Sequence, residues 1–240
     1  AVTFWGTGEY INFLPEWYER LEEYFLPDVE KTYFVFTDGE LEGTPENITL
    51  MNIPHYGFPE TFHKTFEELL KIKDIVSDYD WLVSVDADLY VQEEITTEEF
   101  FDDSKKYFGV HHPCHYLKMQ PHDRKPGSYD TNPLSNACIN DNIMDMSIYY
   151  QGCLWGGKVP FVFDMMEKID EWTKEDVSKN AVGKFYEESY LNKWFLTHRE
   201  DVNTLASDYA YPELFKEHCT FSNKMMHLYK DNKSLDNNQW

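Results

Sequence analysis

Positive charge is scarce in this chain of 240 residues: 21 lysines and arginines stand against 44 aspartates and glutamates, a formal net charge of −23. With no long basic stretch to meet a phosphate backbone or an acidic headgroup layer, nucleic acid and anionic membranes are poor partners. If a phosphate is bound, its counter-charge must come from a cation held by carboxylates, with a few local lysines as helpers. Cysteine is scarce too. Cys114, Cys138, Cys153 and Cys219 fall at irregular spacings without a Cys-x-x-Cys pair, so neither a zinc site nor a disulfide framework is indicated, and reduced thiols in a cytoplasmic, soluble protein are expected. No apolar run approaches the ~20 residues of a membrane span, and Ala1-Val-Thr-Phe-Trp5 has no basic flank of a signal peptide.

Hydrophobic residues make up 42% of the chain, enough for a sizeable core and for one domain over 1–240. Aromatic residues reach 17%. Core filling takes most of them, but aromatic faces also suit sugars and nucleobases.

Strand and helix patterns alternate along the chain. Val2 to Trp5 reads as a short buried strand, followed by Gly6-Thr7-Gly8 and an amphipathic helix over Ile11 to Phe25, in which Pro15 fits only near the first turn. Lys31 to Asp38 and Ile48 to Ile53 read as strands, Thr61 to Val76 as a helix, and Asp80 to Val85 as the next strand. Such alternation predicts an α/β fold with a parallel sheet. The acidic stretch Glu93 to Asp103 reads as a solvated helix face, and Tyr107 to His112 as a strand. Met119 to Met146 is a long polar loop. Ser147 to Lys158 packs aromatics against three glycines, which fits a bulged strand or a backbone that approaches a ligand closely. Phe161 to Trp172 and Phe185 to Phe195 read as helices, and the segment from Phe215 onward as a polar tail, mobile unless a ligand orders it.

The apolar run ending at Val85 delivers Asp86 and Asp88 at its carboxyl end, where α/β sheets keep their ligands. Residues i and i+2 of an extended segment point the same way, so both carboxylates could face one divalent cation, or one cation and a ribose. Twenty aspartates in 240 residues give about two Asp-x-Asp triplets by chance. The second one, Asp78-Tyr79-Asp80, precedes the strand and reads as a loop cap. His111, His112, Cys114 and His115 look like metal ligands, but Pro113 breaks the helical i, i+4 pairing of two-histidine motifs.

Several separated motifs coincide in one order: Gly6-Thr-Gly-Glu-Tyr10, Tyr33-Phe-Val-Phe-Thr-Asp38, Leu82-Val-Ser-Val-Asp-Ala-Asp88, His112-Pro113, Tyr129-Asp-Thr-Asn-Pro-Leu-Ser-Asn-Ala137, Tyr149-Tyr-Gln-Gly-Cys-Leu-Trp-Gly-Gly157 and Glu187-Glu-Ser-Tyr-Leu-Asn-Lys193. From about Val2 to Tyr229 the chain resembles the catalytic domain of family 6 glycosyltransferases, which include the blood-group A and B transferases and the α-1,3-galactosyltransferases. The resemblance implies a GT-A fold, a Rossmann-like mixed sheet flanked by helices. It divides the chain into a nucleotide-binding half over about 1–90, an acceptor half over about 91–228 and a mobile tail over 229–240.

It further implies retaining transfer of GalNAc or Gal from UDP-GalNAc or UDP-Gal to the 3-hydroxyl of a galactosyl glycan, fucosylated or not, in α-1,3 linkage. By position Asp86 looks like the contact to ribose and metal and Asp88 like the direct metal ligand, within a Val85-Asp86-Ala87-Asp88 donor segment. Some microbial relatives carry asparagines there and work without metal. Retention of both aspartates therefore implies Mn2+ dependence, with Mg2+ as the alternative ion. Trp5, Gly6, Thr7 and Tyr10 match the uridine-binding turn; Gln151, Gly152 and Cys153 match the tripeptide that selects the donor sugar. Glu188 matches the carboxylate under the anomeric carbon, nucleophile or stabiliser of oxocarbenium charge, and Glu187 stands beside it in the donor site. His112, Ser128, Phe185 and Glu188 fall at acceptor-contact positions, and Lys230 at a basic tail residue that closes over the diphosphate.

The chain departs from the family pattern in several places. Cys153 stands where Gly or Ala is usual, Glu187 where relatives have aspartate, Tyr186 where many have histidine, Thr131 where an arginine is common and Phe185 where a tryptophan walls the acceptor site. Lys64 is the substitute for a donor-contacting arginine without clear counterpart. Two other classes fit parts of the pattern. Haloacid-dehalogenase phosphatases also place Asp-x-Asp after an apolar strand, but usually on the first strand with Gly or Thr following, whereas Leu89-Tyr90 follows here. A sugar- or nucleotide-binding module without catalysis would explain the aromatics and leave Glu188 idle.

Overall fold

The computed structural model describes residues 1–113, 129–140, 148–218 and 222–230. Among the described residues ten strands and five α-helices follow in the order β1 (Val2–Trp5), α1 (Leu14–Tyr24), β2 (Tyr33–Thr37), β3 (Ile48–Asn52), α2 (Glu60–Leu69), β4 (Trp81–Val85), β5 (Leu89–Val91), α3 (Thr97–Phe100), β6 (Tyr107–His111), β7 (Tyr150–Lys158), α4 (Val159–Ser178), α5 (Glu187–Thr197), β8 (Val202–Leu205), β9 (Tyr211–Pro212) and β10 (Met225–His227). A seven-stranded sheet has the order β3-β2-β1-β4-β7-β6-β8, and β5, β10 and β9 form a second, smaller one.

Strands β3, β2, β1 and β4 are parallel, as the alternation of strands and helices predicts. The wholly parallel sheet does not hold beyond β4. β7 runs antiparallel to both β4 and β6, so it ends beside the start of β4, where α4 follows it directly. The result is the mixed α/β sheet flanked by helices of a GT-A-like fold. β1 sits with β2 on one side and β4 on the other, so the turns after β1 and β4 lie side by side at their carboxyl ends. Strand order switches between β1 and β4 at that crevice, the usual place for a ligand in such sheets.

Alternation along each strand feeds two cores. Phe34 and Phe36 join Phe66, Leu69, Val162, Phe163, Ile169 and Leu191 on the face covered by α2, α4 and α5. Tyr33 and Val35 join Val2, Phe4, Trp17, Leu21, Leu89 and Met225 on the face covered by α1 and the small sheet. In α1 the buried Leu14, Trp17 and Leu21 share one stripe, and Pro15 lies in the first turn, where its missing N–H costs nothing. Gly156 in β7 is forced by packing: a Cβ there would stand 2.1 Å from the Leu82 carbonyl oxygen.

Several sequence-based boundaries shift. The helix from Thr61 ends at Leu69 and continues as a 3-10 turn over Leu70–Ile72. The acidic stretch Glu93 to Asp103 is a helix only over Thr97–Phe100, because the fully buried Phe100 anchors it to the core as a short plug. The helix expected over Phe161 to Trp172 runs over Val159–Ser178. The tail from Phe215 contains β10, which pairs with β5 and β9. Cys114, His115, Ser128, Cys219 and residues 231–240 lie outside the described residues. No helix among the described residues is long and apolar enough to cross a membrane.

Candidate active site

The backbone after β4 is held by neighbours from three elements. Asp86 donates its N–H to the Cys153 carbonyl at 2.9 Å, and its own carbonyl accepts from the Trp17 indole at 3.1 Å and from Leu89 N–H at 3.1 Å. The carbonyl of Asp88 accepts from Leu228 N–H at 2.9 Å. The main chain that carries the two carboxylates is thus fixed before any ligand arrives.

Their surroundings differ. The Asp86 side chain opens to the cleft while Asp88 is 1% exposed. Burial would raise the Asp88 pKa, but His227, with Nε2 at 3.1 Å, and the Lys230 ammonium in contact with Oδ2 outweigh it and hold the carboxyl well below the usual range. On Asp86 the same two groups act only through space, and desolvation deep in the cleft together with the Asp88 charge outweighs them and pushes it up to about 6. Two carboxylates at the end of one strand suit a hard divalent ion. One oxygen from each and a ring nitrogen of His227 lie within 4.8 Å of one another, the one such group among the described residues.

Around them opens a cleft of about 290 Å3. Of the residues singled out from sequence, Trp5, Thr7, Tyr10, Val85, Asp86, Ala87, Asp88, Gly152, Glu187 and Lys230 line it. Phe58 and Phe62 add aromatic wall. Lys230 reaches from Asp88 to the Tyr10 ring, its Nζ 4.9 Å from the ring centre. Gly6 directly follows β1, its N–H on the Phe36 carbonyl at 2.9 Å. Thr7 Oγ1 lies 3.0 Å from His55 Nδ1.

Gly152 enters the cleft because β7 bulges. Gly109 opposes Trp155 while His111 opposes Tyr150, so the two-residue step in β6 faces a five-residue step in β7. The bulge brings the Gly152 N–H to Glu188 Oε2 at 2.8 Å, and Tyr149 donates to Glu188 Oε1 at 2.6 Å. Burial raises the Glu188 pKa, and these two hydrogen bonds work against the rise. Glu187, next to it, is raised well above the glutamate range by burial, and its Oε2 is buried without a hydrogen-bond partner.

Both glutamates open α5, whose start is tightly constrained. Tyr186 has φ of 49°, a region that costs a non-glycine residue about 1–3 kcal/mol and that concentrates at functional sites. Its ring stacks on Phe62 with centres 5.1 Å apart, and the preceding turn is pinned by Lys184 N–H on Asp130 Oδ2 at 2.7 Å and Phe185 N–H on Ser189 Oγ at 2.8 Å.

Other sequence-singled residues stand apart from the cleft. Gln151 is buried and donates to the Ala210 carbonyl at 2.9 Å, and the Cys153 thiol is buried in the core. Burial raises that thiol well above its usual pKa. Lys64 on α2 pairs with Glu67 at 3.1 Å and does not line the cleft. His112, half-buried, donates its backbone N–H to the Tyr149 carbonyl at 2.7 Å, and Phe185 is half-buried with the Lys184 ammonium over its ring. Sequence reasoning missed Tyr149, although it lies in a quoted motif, and His227, whose only signal is the short apolar Met225-Met226 run before it. It also missed the Trp17 indole, which reads as a core residue of α1.

The sequence profile described as "Glycosyltransferase family 6" matches residues 1–237. The chain is 27% identical over 216 residues to the "O-antigen biosynthesis glycosyltransferase WbnI" of Escherichia coli, covering 88% of this chain and 87% of that protein. It is 25% identical over 222 residues to the human "Globoside alpha-1,3-N-acetylgalactosaminyltransferase 1", covering 89% of this chain and 61% of that protein. To the rat "Histo-blood group ABO system transferase 2" it is 23% identical over 222 residues, covering 89% and 63%. The chain thus spans under two thirds of the length of these two animal relatives.

Proposed function

The chain belongs to glycosyltransferase family 6, and from that premise we propose that it moves GalNAc or Gal from a UDP-sugar to the 3-hydroxyl of a galactoside, with retention and with a divalent ion, Mn2+ first. One observation carries the reading. Asp86, Asp88 and Glu187 line a single aromatic cleft, and Glu188 stands directly behind its Gly152 wall.

In this reading the turn from Trp5 to Tyr10 takes the uridine, whose base lies against an aromatic ring. Asp86 and Asp88 hold the divalent ion, which when bound supplies the positive charge that a leaving diphosphate needs and a protein of net charge −23 lacks. Lys230 adds a second cation beside the diphosphate. Glu187, whose protonated form burial favours, donates a hydrogen bond to a sugar hydroxyl. Glu188, oriented by Tyr149 and Gly152, presents negative charge to the anomeric carbon as its bond to the diphosphate lengthens. His112 and Phe185 sit on the acceptor side. On this division residues of about 1–90 serve the nucleotide and those of about 91–228 the sugars, while Lys230 in the tail closes on the diphosphate.

The test is UDP release from a panel of UDP-sugars with galactosyl acceptors, with and without Mn2+. Turnover is expected on UDP-GalNAc or UDP-Gal only in the presence of metal. Equal rates in excess EDTA would overturn the metal assignment, and turnover confined to other donors would overturn the substrate.

A further inference from the structure

The strand β10 delivers more than a neighbour to β5. The two run antiparallel, with Met226 opposite Tyr90 and His227 opposite Leu89, and Leu228 closes the pairing by donating its N–H to the Asp88 carbonyl at 2.9 Å. This register fixes the His227 ring beside the carboxylate that β4 and β5 hold between them. Nε2 of His227 is enclosed and lies 3.1 Å from Asp88 Oδ2, an ion-pair contact whose angle is poor for a hydrogen bond. A buried ring nitrogen in poor hydrogen-bond geometry gains from a better-aligned partner. The space that it faces is shared with both aspartates, whose oxygens lie with a ring nitrogen of His227 inside 4.8 Å.

We propose that His227 is a third protein ligand of the divalent ion held by Asp86 and Asp88, and that its imidazole makes the site prefer Mn2+ over Mg2+. The inference rests on the metal reading given above and deepens it. Two carboxylates alone serve any hard cation, whereas an imidazole nitrogen strengthens binding of first-row transition ions relative to Mg2+. Lys230 touches the same Asp88 oxygen, but an ammonium has no lone pair and cannot ligate. The two basic neighbours of Asp88 therefore have different roles: His227 binds the ion, and Lys230 is a charge beside it.

Pulsed electron paramagnetic resonance of the Mn2+-loaded chain reads this directly. A nitrogen modulation from directly bound imidazole is expected in the wild type, with its pattern altered when the histidines carry 15N. The modulation is expected to persist in Lys230→Gln and to vanish in His227→Gln. By calorimetry, His227→Gln is expected to weaken Mn2+ binding about tenfold or more, since loss of even an outer-shell partner costs that much, and to weaken Mg2+ binding less. Bound Mn2+ without nitrogen modulation in the wild type, or modulation that survives His227→Gln, overturns the inference and leaves the aspartate site standing. Failure of the wild type to bind Mn2+ overturns both. The labelled wild type carries the test should His227→Gln not fold.

Discussion

Tyr149 donates its phenolic hydrogen to Glu188 Oε1 at 2.6 Å, while Oε2 of the same carboxylate accepts the Gly152 N–H at 2.8 Å. Burial raises the Glu188 pKa and both bonds oppose the rise. A group raised in this way is charged only above its elevated pKa, so activity that needs the carboxylate is lost as pH falls through it. Tyr149→Phe removes one stabiliser of the charge. A hydrogen bond to a charged group is worth about 1.5–3 kcal/mol, so the acid limb of kcat/KM is expected to move to higher pH by about one to two units. Glu188→Gln is expected to abolish transfer at every pH and leave UDP affinity near that of the wild type. An acid limb that stays in place in Tyr149→Phe would mean that another group sets it.

The close approach at Gly152 leads to a second variant. A Cβ there would meet Glu188 Cβ at 3.3 Å and Oε2 at 3.5 Å. This is tight but does not collide with backbone, so Gly152→Ala is expected to fold, losing about 1–2 kcal/mol. Glu188 must give way by a few tenths of an ångström, and misplacement of a catalytic group is expensive. The expectation is a fall in kcat of about tenfold or more with a small change in Tm and in UDP Kd. Gly156→Ala is the contrast, since its Cβ would meet a backbone oxygen at 2.1 Å. It is expected to yield little folded protein, as read by expression and circular dichroism.

Asp86 and Asp88 separate by stability, although both are read as metal ligands. Asp86→Asn changes a side chain open to the cleft and is expected to cost under about 1 kcal/mol of stability. Asp88→Asn strips the shared counter-charge from His227 and Lys230. Breaking a buried ion pair on one side costs about 3–5 kcal/mol, so a clear loss is expected in the metal-free protein. Urea unfolding in EDTA measures the difference, and Mn2+ titration is expected to find weakened binding in both. Equal stability of the two variants would contradict the clasp of β10 on Asp88.

What could be read from the sequence follows the range of the interactions. The run Trp81 to Val85 with aspartates at its end carried its own signal, since strand period and carboxyl-end placement are local properties. The glycines of Ser147 to Lys158 likewise announced a bulge or a close approach to a ligand; the structure has the bulge, and the close approach that it shows at Gly152 is to Glu188. His227 was hidden for the opposite reason. Three residues make a strand only because β5 offers an edge to them, so a polar tail by composition becomes sheet by pairing. The tripeptide Gln151 to Cys153 lined up with a family motif, but the bulge turns only Gly152 into the cleft. Side-chain direction at a bulge depends on the register of the partner strand, which a single segment does not encode.

The start of α5 depends on a group far from the cleft. Asp176, fully buried on α4, accepts from Ser135 Oγ at 2.9 Å, from Asn136 N–H at 2.7 Å, from Asn136 Nδ2 at 2.7 Å and from Tyr190 Oη at 2.9 Å. Tyr190 in turn accepts the Gly183 N–H at 3.2 Å, so one carboxylate ties the 129–140 segment to the turn that aims Glu187 and Glu188. Asp176→Ala leaves several buried donors unpaired, each costing about 1–3 kcal/mol when unsatisfied. Because some will find water, a net loss of about 3–5 kcal/mol is expected in urea unfolding, with transfer falling in parallel. Asp176→Asn keeps one acceptor oxygen and is expected to lose less, recovering part of the activity. If Asp176→Ala costs under about 1 kcal/mol, the turn before α5 is held by Asp130 and Ser189 alone, and the two glutamates owe their aim to contacts within their own helix.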